Sequence, residues 1–396
     1  MIISLLQDIA NKFITRIEKF SKSKFWLAKS VIILTIITLF FSFPNYREAF
    51  SKNVKMEVHD SLTQTRVPTI MGMVAMQIKD PMMVVRGYNG AQPEKRQFRL
   101  TMPVIGHFLH LNVLGLIILQ QLVGILFFGL LILLISNITG DRVIGILMTT
   151  GLAFTYLGKA SFVDLWPWFD GVAYCLLAAA MYSRKPVLIS LFILLAAFTD
   201  ERALVASALV FFWWKLQNQK ESKMSLSTIV MPDLQSFAVV IAWIVYFSIR
   251  IFLTKRYGFL THSGYMTGAG AAFKITYKYF TFGVLSGIEW FWIYILAGIV
   301  LLLKQKNYMT TFLLISMLGV ILLIAFDVFD VTKSTTYVFP AIFICLYLFI
   351  KNGETIKNLR YFAIIVMILC FLLPSFNISG PIKYMLKPVF FELPNR

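Results

Sequence analysis

Long blocks of apolar residues recur along this chain and constrain its fold more strongly than any other feature. Most blocks run for about 13–25 residues, which is the scale of a helix that crosses a bilayer. Hydrophobic residues make up 58% of the 396 residues and charged residues 14%, and the mean hydropathy is +0.76. An average soluble domain is about 25% charged, so too few polar side chains are available to cover a water-soluble globule. The sequence therefore predicts an all-α polytopic membrane protein.

The apolar blocks predict about 11 transmembrane helices if each block crosses the bilayer once. The predicted spans are residues 25–44, 108–136, 142–158, 169–183, 187–199, 201–214, 235–254, 283–303, 309–328, 335–350 and 361–376. The short connectors predicted to be cytoplasmic contain eleven Lys and Arg residues, whereas the short outer connectors contain three, Lys159, Arg202 and Lys333. This asymmetry is the one expected when the N-terminus is cytoplasmic.

Residues 1–24 precede the first predicted span and have a helical pattern of their own. Apolar residues such as Ile9 and Phe13 recur at steps of three and four, and Lys12 and Arg16 lie off that stripe. This pattern is typical of an amphipathic helix that lies in the membrane interface. The sequence therefore predicts a cytoplasmic interfacial helix at the N-terminus.

The remaining chain divides into a transmembrane domain and a short tail. The transmembrane domain is predicted to cover residues 25–376. A large first outer loop with amphipathic helices is expected at 45–107, and a second outer loop at 255–282. Residues 377–396 are expected to form a tail on the outer face.

The apolar stretch 187–214 could form one long span or a helical hairpin. One span would reverse every later helix and place the basic connectors outside, so we predict a hairpin whose tip is Thr199-Asp200-Glu201-Arg202. Each arm of about 13–14 residues would be about 20 Å long, against a hydrocarbon core of about 30 Å. The charged tip is therefore expected to lie below the outer surface, where charges require a cavity or partners.

The net charge of +18 would suggest nucleic-acid binding in a soluble protein. In a membrane protein, basic residues flank the spans and face anionic lipid headgroups. The expected partner is therefore the lipid bilayer, with no nucleic acid. The three cysteines lack metal or redox spacing, and His107 and His110 have no obvious third ligand. No metal and no other cofactor is expected.

Under this topology the acidic residues are divided unevenly between the two sides of the membrane. Thirteen of the nineteen acidic residues, and all four histidines, lie outside or near the outer ends of spans. If the protein has an active site, that site is expected to face outward.

The predicted hairpin tip contains the most informative cluster. Asp200 and Glu201 are adjacent carboxylates next to Arg202, close to the N-terminus of a helix. Such a group could activate a hydroxyl and hold a phosphate. The alternative is structural: Asp200 caps the next helix and Arg202 pairs with it.

Other outer-side candidates combine acids with aromatic residues. Asp164 and Asp170 enclose three aromatic residues, a composition that suits sugar binding, although an interfacial aromatic belt has the same composition. Glu289 lies next to two tryptophans near the outer end of its span. It could face a cavity or act as an interfacial anchor.

A second outer-edge cluster combines Asp327, Asp330 and Lys333. Asp327 and Asp330 would share one helix face, and the alternative is a solvated helix end. Three arginines of the first outer loop could each hold a phosphate through two hydrogen bonds or simply snorkel to the interface. They are Arg86, Arg96 and Arg99.

Three short motifs resemble those of the polytopic membrane glycosyltransferases of the GT-C fold. Arg99-Leu-Thr-Met-Pro103 resembles the family's element before the span that follows the first outer loop. Ala197-Phe-Thr-Asp-Glu-Arg-Ala-Leu204 resembles its acidic hairpin, with Glu201 on the acidic position. Asp330-Val-Thr-Lys333, followed by Pro340, resembles its late element. Asp200 and Lys333 depart from the pattern, since the family often has Arg at the first position and usually at the second.

The resemblance implies transfer of a sugar from a polyprenyl-phosphate carrier to a hydroxyl of a glycan or lipid acceptor. The implied location is the bacterial inner membrane, with the active site facing outward. A carboxylate of the first outer loop would be the general base, with Asp60 as first choice and Glu48 and Asp80 as alternatives. Asp200 and Glu201 would be further catalytic carboxylates.

The remaining candidates are expected to bind the substrates of this reaction. Arg99, Arg202 and Lys333 would bind the carrier phosphate. The substrate would also contact four acidic residues. They are Asp164, Asp170, Glu289 and Asp330.

Two other functions are compatible with the sequence. A lipid-linked glycan polymerase or ligase also uses a large outer loop and basic residues. A transporter would be expected to contain an inverted repeat with paired broken helices, whereas the sequence has one short hairpin and no second copy.

Overall fold

The computed structural model of the chain is built almost entirely from helices. It describes residues 2–42, 44, 46, 50–63, 69–84, 96–219, 231, 233–259, 273–372, 375–378 and 382–385. The α-helices are α1 (Ile2–Ser21), α2 (Trp26–Ser42), α3 (Lys52–Leu62), α4 (Ile70–Lys79), α5 (Thr101–Phe108), α6 (Val113–Thr139), α7 (Arg142–Phe154), α8 (Tyr156–Val163), α9 (Asp170–Tyr182), α10 (Pro186–Thr199), α11 (Glu201–Asn218), α12 (Leu234–Tyr257), α13 (Phe273–Thr276), α14 (Phe280–Ile288), α15 (Trp292–Lys304), α16 (Tyr308–Phe326), α17 (Val331–Thr335), α18 (Pro340–Lys351) and α19 (Ile356–Leu372). Short 3₁₀ turns at Tyr277–Tyr279, Glu289–Phe291 and Thr336–Val338 join α13 to α14, α14 to α15 and α17 to α18.

Five helical runs among the described residues are long and apolar enough to cross a membrane. They are Val113–Thr139, Leu234–Tyr257, Phe273–Lys304, Tyr308–Phe326 and Val331–Lys351. The bent pair α7 and α8 makes a sixth if it counts as one span, and four further apolar helices are shorter. The helical membrane class expected from the sequence is therefore confirmed. The eleven crossings and their sidedness remain predictions.

The helices differ in how completely they are enclosed. In the most apolar part of Val331–Lys351, 83% of the residues are buried, against 28% in Leu234–Tyr257. On α12, large apolar side chains such as Phe237, Ile244 and Phe252 are exposed, which is the pattern of a lipid-facing surface. The run that contains α18 therefore lies in the interior of the helix bundle, and α12 lies at its edge.

The predicted span 142–158 is broken rather than continuous. The axes of α7 and α8 meet at 59°, and Thr155 between them has extended backbone, with its hydroxyl donating to the carbonyl of Leu152 at 2.8 Å. A Cβ atom at Gly158 would lie 2.6 Å from that carbonyl oxygen. Only glycine therefore allows the start of α8 to pack this closely against the end of α7. Lys159, expected on an outer connector, is instead buried within α8 at 1% exposure.

Salt bridges connect the N-terminal helix α1 to the rest of the bundle. Arg360 at the start of α19 contacts Glu18 of α1 and Asp141, the residue before α7, at 2.5 Å each. Ile14 of α1 is buried against the main core, whereas Ile9 and Phe13 remain exposed. The predicted N-terminal helix is present, and its amphipathic surface is only partly covered.

After its last helix the chain forms a β-hairpin, which the sequence did not predict. Helix α19 ends at Leu372, before the end of the predicted span 361–376, and an antiparallel hairpin follows. Its strands are β1 (Ser375–Ile378) and β2 (Ile382–Met385). The main-chain N–H of Ile378 donates to the Thr332 hydroxyl at 2.8 Å, so this strand is tied to α17.

The loss of Asp233, the residue that caps α12, is expected to destabilise the protein. Its carboxylate accepts the N–H of Ser236 at 2.9 Å and lies 2.9 Å from the ammonium of Lys215, which is buried at 5% exposure. Asp233→Ala should lower the free energy of unfolding by about 1–2 kcal/mol, measured by denaturant titration in detergent. Asp233→Asn retains a capping side chain, so its smaller loss isolates the contribution of the charge.

The stabilisation from Asp233 should also depend on pH. Burial raises the pKa of Asp233, but hydrogen bonds from Ser236 and Lys215 outweigh it and hold the pKa below its usual value of 3.8. A lowered pKa in the folded state stabilises the protein above the unfolded value, and this stabilisation is lost as the pH falls. The difference between the wild type and Asp233→Asn should therefore narrow below pH 3.8. A constant difference would contradict the assignment.

Candidate functional site

Seven charged side chains from four separate segments form one connected group, which we call the charged network. Its members are Arg99, Asp164, Asp170, Asp200, Glu201, Arg202 and Lys333. Arg99 precedes α5, the acids at 164 and 170 flank a loop between α8 and α9, residues 200–202 form the turn between α10 and α11, and Lys333 lies on α17. All seven residues were candidates from the sequence.

The turn between α10 and α11 lies where the hairpin tip is predicted. Asp200 ends α10 and caps α11, because its carboxylate accepts the main-chain N–H of Arg202 at 2.9 Å. The capping interpretation of Asp200 is therefore correct. The same carboxylate also lies 3.1 Å from the guanidinium of Arg99 and is fully buried, so its interactions extend beyond a local cap.

Arg202 joins three segments of the network. Its guanidinium contacts Asp200 beside it, Asp170 at 2.7 Å and the hydroxyl of Ser334 at 2.7 Å. The ring of Tyr337 lies 5.5 Å from the guanidinium carbon. Because both carboxylates are fully buried, this arginine offsets the cost of two charges that have little access to water.

Lys333 pairs with the two acidic residues that flank the loop between α8 and α9. Its ammonium pairs with Asp164 and lies 3.4 Å from Asp170. Its main-chain carbonyl accepts the hydroxyl of Tyr174 at 2.7 Å, which fixes α17 against α9. This contact positions Lys333 where two elements 159 residues apart in the sequence meet.

The pair of Arg99 and Glu201 is the most accessible part of the network. The two side chains are 3.3 Å apart, and Glu201 is 30% exposed whereas the Arg99 side chain is 10% exposed. Nη1 of Arg99 is buried and has no hydrogen-bond partner within the described part of the chain. Burial works against the charged guanidinium, but Asp200 and Glu201 raise the pKa of Arg99 above its ordinary value. The site therefore has a permanently charged donor beside a partly exposed carboxylate.

An aromatic side chain, Trp168, lies close to two cations of the network, Arg99 and Lys333, and to Arg96, which is not a member. Trp168 lies 4.0 Å from the guanidinium carbon of Arg96, 4.9 Å from that of Arg99 and 5.8 Å from the ammonium of Lys333. The next residue, Phe169, has φ 61°, an uncommon conformation for a bulky side chain. A Cβ at Gly171 would lie 2.8 Å from the main-chain nitrogen of Ser161. The loop is therefore held in a specific conformation by close packing.

The remaining predicted site residues lie around this network or elsewhere. Asp330 immediately precedes α17 and lies within electrostatic reach of Lys333. Glu289 is buried at the break between α14 and α15, with φ 50°. Asp60 lies on α3, which is not one of the four segments of the network. Asp80 follows α4 and accepts the N–H of Met82 at 3.0 Å.

Two other candidates from the sequence, Glu48 and Arg86, lie outside the described residues. Their positions relative to the network therefore stay open.

Sequence reasoning did not select the uncharged partners of the network. Ser334, Tyr174 and Tyr337 contact Arg202 or Lys333, but each lies in or beside an apolar block without a distinguishing pattern. They are identified only because they lie close to Arg202 or Lys333 in the folded chain. Among the residues that the structure describes, no group of three His, Cys, Asp or Glu side chains is arranged to hold a metal ion.

The chain was also compared with known proteins. It matches no protein-family model, no curated protein and no solved structure.

Proposed function

We propose that this chain is an integral-membrane glycosyltransferase that moves a sugar from a polyprenyl-phosphate carrier to an acceptor hydroxyl. The observation that supports this most directly is the pair of Arg99 and Glu201, 3.3 Å apart at the accessible edge of the charged network. An arginine next to a carboxylate supplies the two functions that the reaction needs, a phosphate-binding cation and a base. The GT-C resemblance of the surrounding motifs is consistent with this assignment.

Arg99 would contact the carrier phosphate. Its other guanidinium nitrogens already contact Asp200 and Glu201, whereas Nη1 has no hydrogen-bond partner among the described residues. A guanidinium forms charge-assisted hydrogen bonds to phosphate oxygens. Lys333 and Arg202 are more fully paired, so their role would be to offset the buried acids and add positive potential near the leaving group.

Glu201 would act as the general base. The acceptor oxygen would attack the anomeric carbon of the donor sugar while its proton passes to the Glu201 carboxylate. The bond between that carbon and the phosphate oxygen would break, and the electron pair would leave on the phosphate, where Arg99 stabilises the developing charge. Trp168 lies beside Arg99 and offers an aromatic surface for a sugar ring.

The proposed orientation follows from the charges of the connectors. With the N-terminus in the cytoplasm and eleven crossings, the turn between α10 and α11 faces the outer side. The 14 residues of α10 correspond to about 21 Å, less than the hydrocarbon thickness of about 30 Å. The network would then lie below the outer surface, within reach of the phosphate of a lipid carrier in that leaflet.

The decisive experiment measures sugar transfer directly. Purified protein in proteoliposomes is incubated with radiolabelled polyprenyl-phosphate sugars and extracted envelope glycans or lipids, and the products are analysed by mass spectrometry. One added sugar per acceptor would support the proposal. Transfer of whole repeat units would instead indicate a polymerase or ligase, and solute uptake without transfer would indicate a transporter.

Removal of the Arg99 guanidinium should weaken transfer strongly. Arg99→Gln is expected to lower kcat/KM by about 100-fold, because one charged donor to the leaving group is lost. Arg99→Lys should retain part of the activity, since the charge remains but the paired donors do not. Lys12→Gln is a matched control because Lys12 is exposed on α1, and it should transfer at the wild-type rate. Equal rates for Arg99→Gln and the wild type would exclude Arg99 from phosphate binding.

A further inference from the structure

A second site lies apart from the charged network, in a cavity between α3, α4 and the turn that joins α5 to α6. Its volume is about 450 Å³, which is in the range of small-molecule pockets. Ala75, Ile78 and Leu111 contribute to a wall that is mainly apolar. None of the described residues that line it belongs to the charged network.

The polar side chains that line this cavity are one lysine, two histidines and one asparagine, Asn112. Lys79, His107 and His110 line it, and none of its described lining residues is acidic. The ring of His107 is fixed in place, because Nδ1 donates to the carbonyl of Ile78 at 2.8 Å. Asp80 is adjacent to Lys79 in sequence, but its carboxylate accepts the N–H of Met82. The charge of the cavity therefore favours an anion.

The turn that contributes the two histidines also has a membrane-facing character. Phe108 is 75% exposed and Leu109 is 60% exposed, and each lies between His107 and His110 in the sequence. Large exposed apolar side chains next to basic ones are typical of the bilayer interface. An occupant of the cavity could therefore enter from the lipid phase with its polar end at the headgroup level.

We propose that this cavity binds an amphiphile with an apolar chain and a phosphate headgroup. The chain would lie against Ala75, Ile78 and Leu111, and the phosphate would contact Lys79 and the two imidazoles. A bilayer phospholipid and a polyprenyl phosphate share this chemistry. The site adds a lipid-binding role to the proposed transfer reaction and does not depend on it.

Photolabelling of the full-length protein in nanodiscs tests this site. The probe is dodecyl phosphate with a diazirine near the chain end, and the labelled peptides are identified by mass spectrometry. Label is expected on α3, α4 and the turn after α5, and excess unlabelled dodecyl phosphate should remove it. Dodecanol and inorganic phosphate should compete at least tenfold less well. Equal competition by dodecanol would exclude a phosphate site, and equal competition by inorganic phosphate would exclude a chain site.

Two variants and a control locate the site. Ala75→Trp should reduce labelling more than tenfold by filling the cavity, and Lys79→Gln should weaken it about fivefold without disturbing the fold, because Lys79 is exposed. Lys274→Gln removes an exposed charge outside the cavity and should label like the wild type. Unchanged labelling in both cavity variants would overturn the proposal. Competition by farnesyl phosphate or by phosphatidylglycerol would support it and identify the preferred source of the ligand.

The test does not rely on catalysis. Glu201→Gln should lose transfer but retain photolabelling, because Glu201 lies in the network and not in the cavity. In the wild-type protein, transfer without displaceable labelling would refute the lipid site alone, and displaceable labelling without transfer would refute the proposed function alone.

Discussion

Replacement of Arg202 by methionine is expected to lower the free energy of unfolding by about 3 kcal/mol. The guanidinium is the shared partner of Asp170 and Asp200, and both carboxylates are fully buried. Methionine has a similar length but no charge, so two carboxylates would lose their nearest cation while remaining away from water. Denaturant titration in detergent, followed by tryptophan fluorescence, measures the change.

Two comparisons separate this effect from a general loss of packing. Asp170→Asn in the Arg202→Met background should recover part of the lost stability, because one unpaired charge is removed; the coupling between the two sites should be about 0.5–3 kcal/mol. Arg360→Met removes another paired arginine, but that side chain is 20% exposed, so the loss should be about 1 kcal/mol or less. An Arg202→Met variant as stable as Arg360→Met would show that the network is not held together by this arginine.

Helix positions were predictable from the sequence where an apolar block is bounded by charged or helix-capping residues. The predicted arm 187–199 is the observed α10 to within one residue, and the second arm begins at Glu201 as expected. Asp200 ends one helix and caps the next, so its side chain marks the boundary locally. Such boundaries depend on neighbours in the sequence, which pattern analysis can use.

The breaks inside apolar blocks were not predictable in the same way. The bend at Thr155 depends on the close approach of α8 to the end of α7, which Gly158 permits. At the second break, Glu289 has a positive φ in the middle of the run Phe273–Lys304. One polar residue, Thr155 or Glu289, does not lower the mean hydropathy of its surroundings enough to divide the block, so periodicity and hydropathy treat both segments as continuous.

The members of the charged network were recognisable one by one, but their assembly was not. Charges in apolar surroundings are costly, which made Asp200 and Arg202 candidates, and Lys333 was a candidate through its cluster with Asp327 and Asp330. Their contacts join residues far apart in sequence, such as Lys333 with Asp164 across 169 positions. Pairing of this kind is set by how the helices pack. The sequence favoured Asp60 as base, whereas the folded chain places Glu201 next to Arg99.

Glu201→Gln should therefore abolish most of the proposed transfer activity while leaving the protein folded. The amide has nearly the same shape and can still accept a hydrogen bond from Arg99, but it cannot take a proton from the acceptor. The expected loss in kcat is about 100- to 10,000-fold, the usual contribution of a general base. Stability should change by less than about 1 kcal/mol, because the carboxylate is 30% exposed. Initial rates of sugar transfer and denaturant titration measure the two effects.

Asp60→Asn tests the competing assignment under the same conditions. If Glu201 is the base, Asp60→Asn should transfer at a rate within a few-fold of the wild type, since Asp60 lies on α3 and not on a network segment. Glu201→Asp should keep a small part of the activity, because its carboxylate is shorter by one methylene and cannot reach the acceptor as closely. The opposite result, with Glu201→Gln active and Asp60→Asn inactive, would move the base to α3. In that case Glu201 would only position Arg99, and catalysis would require α3 to supply its carboxylate to the phosphate-binding edge of the network.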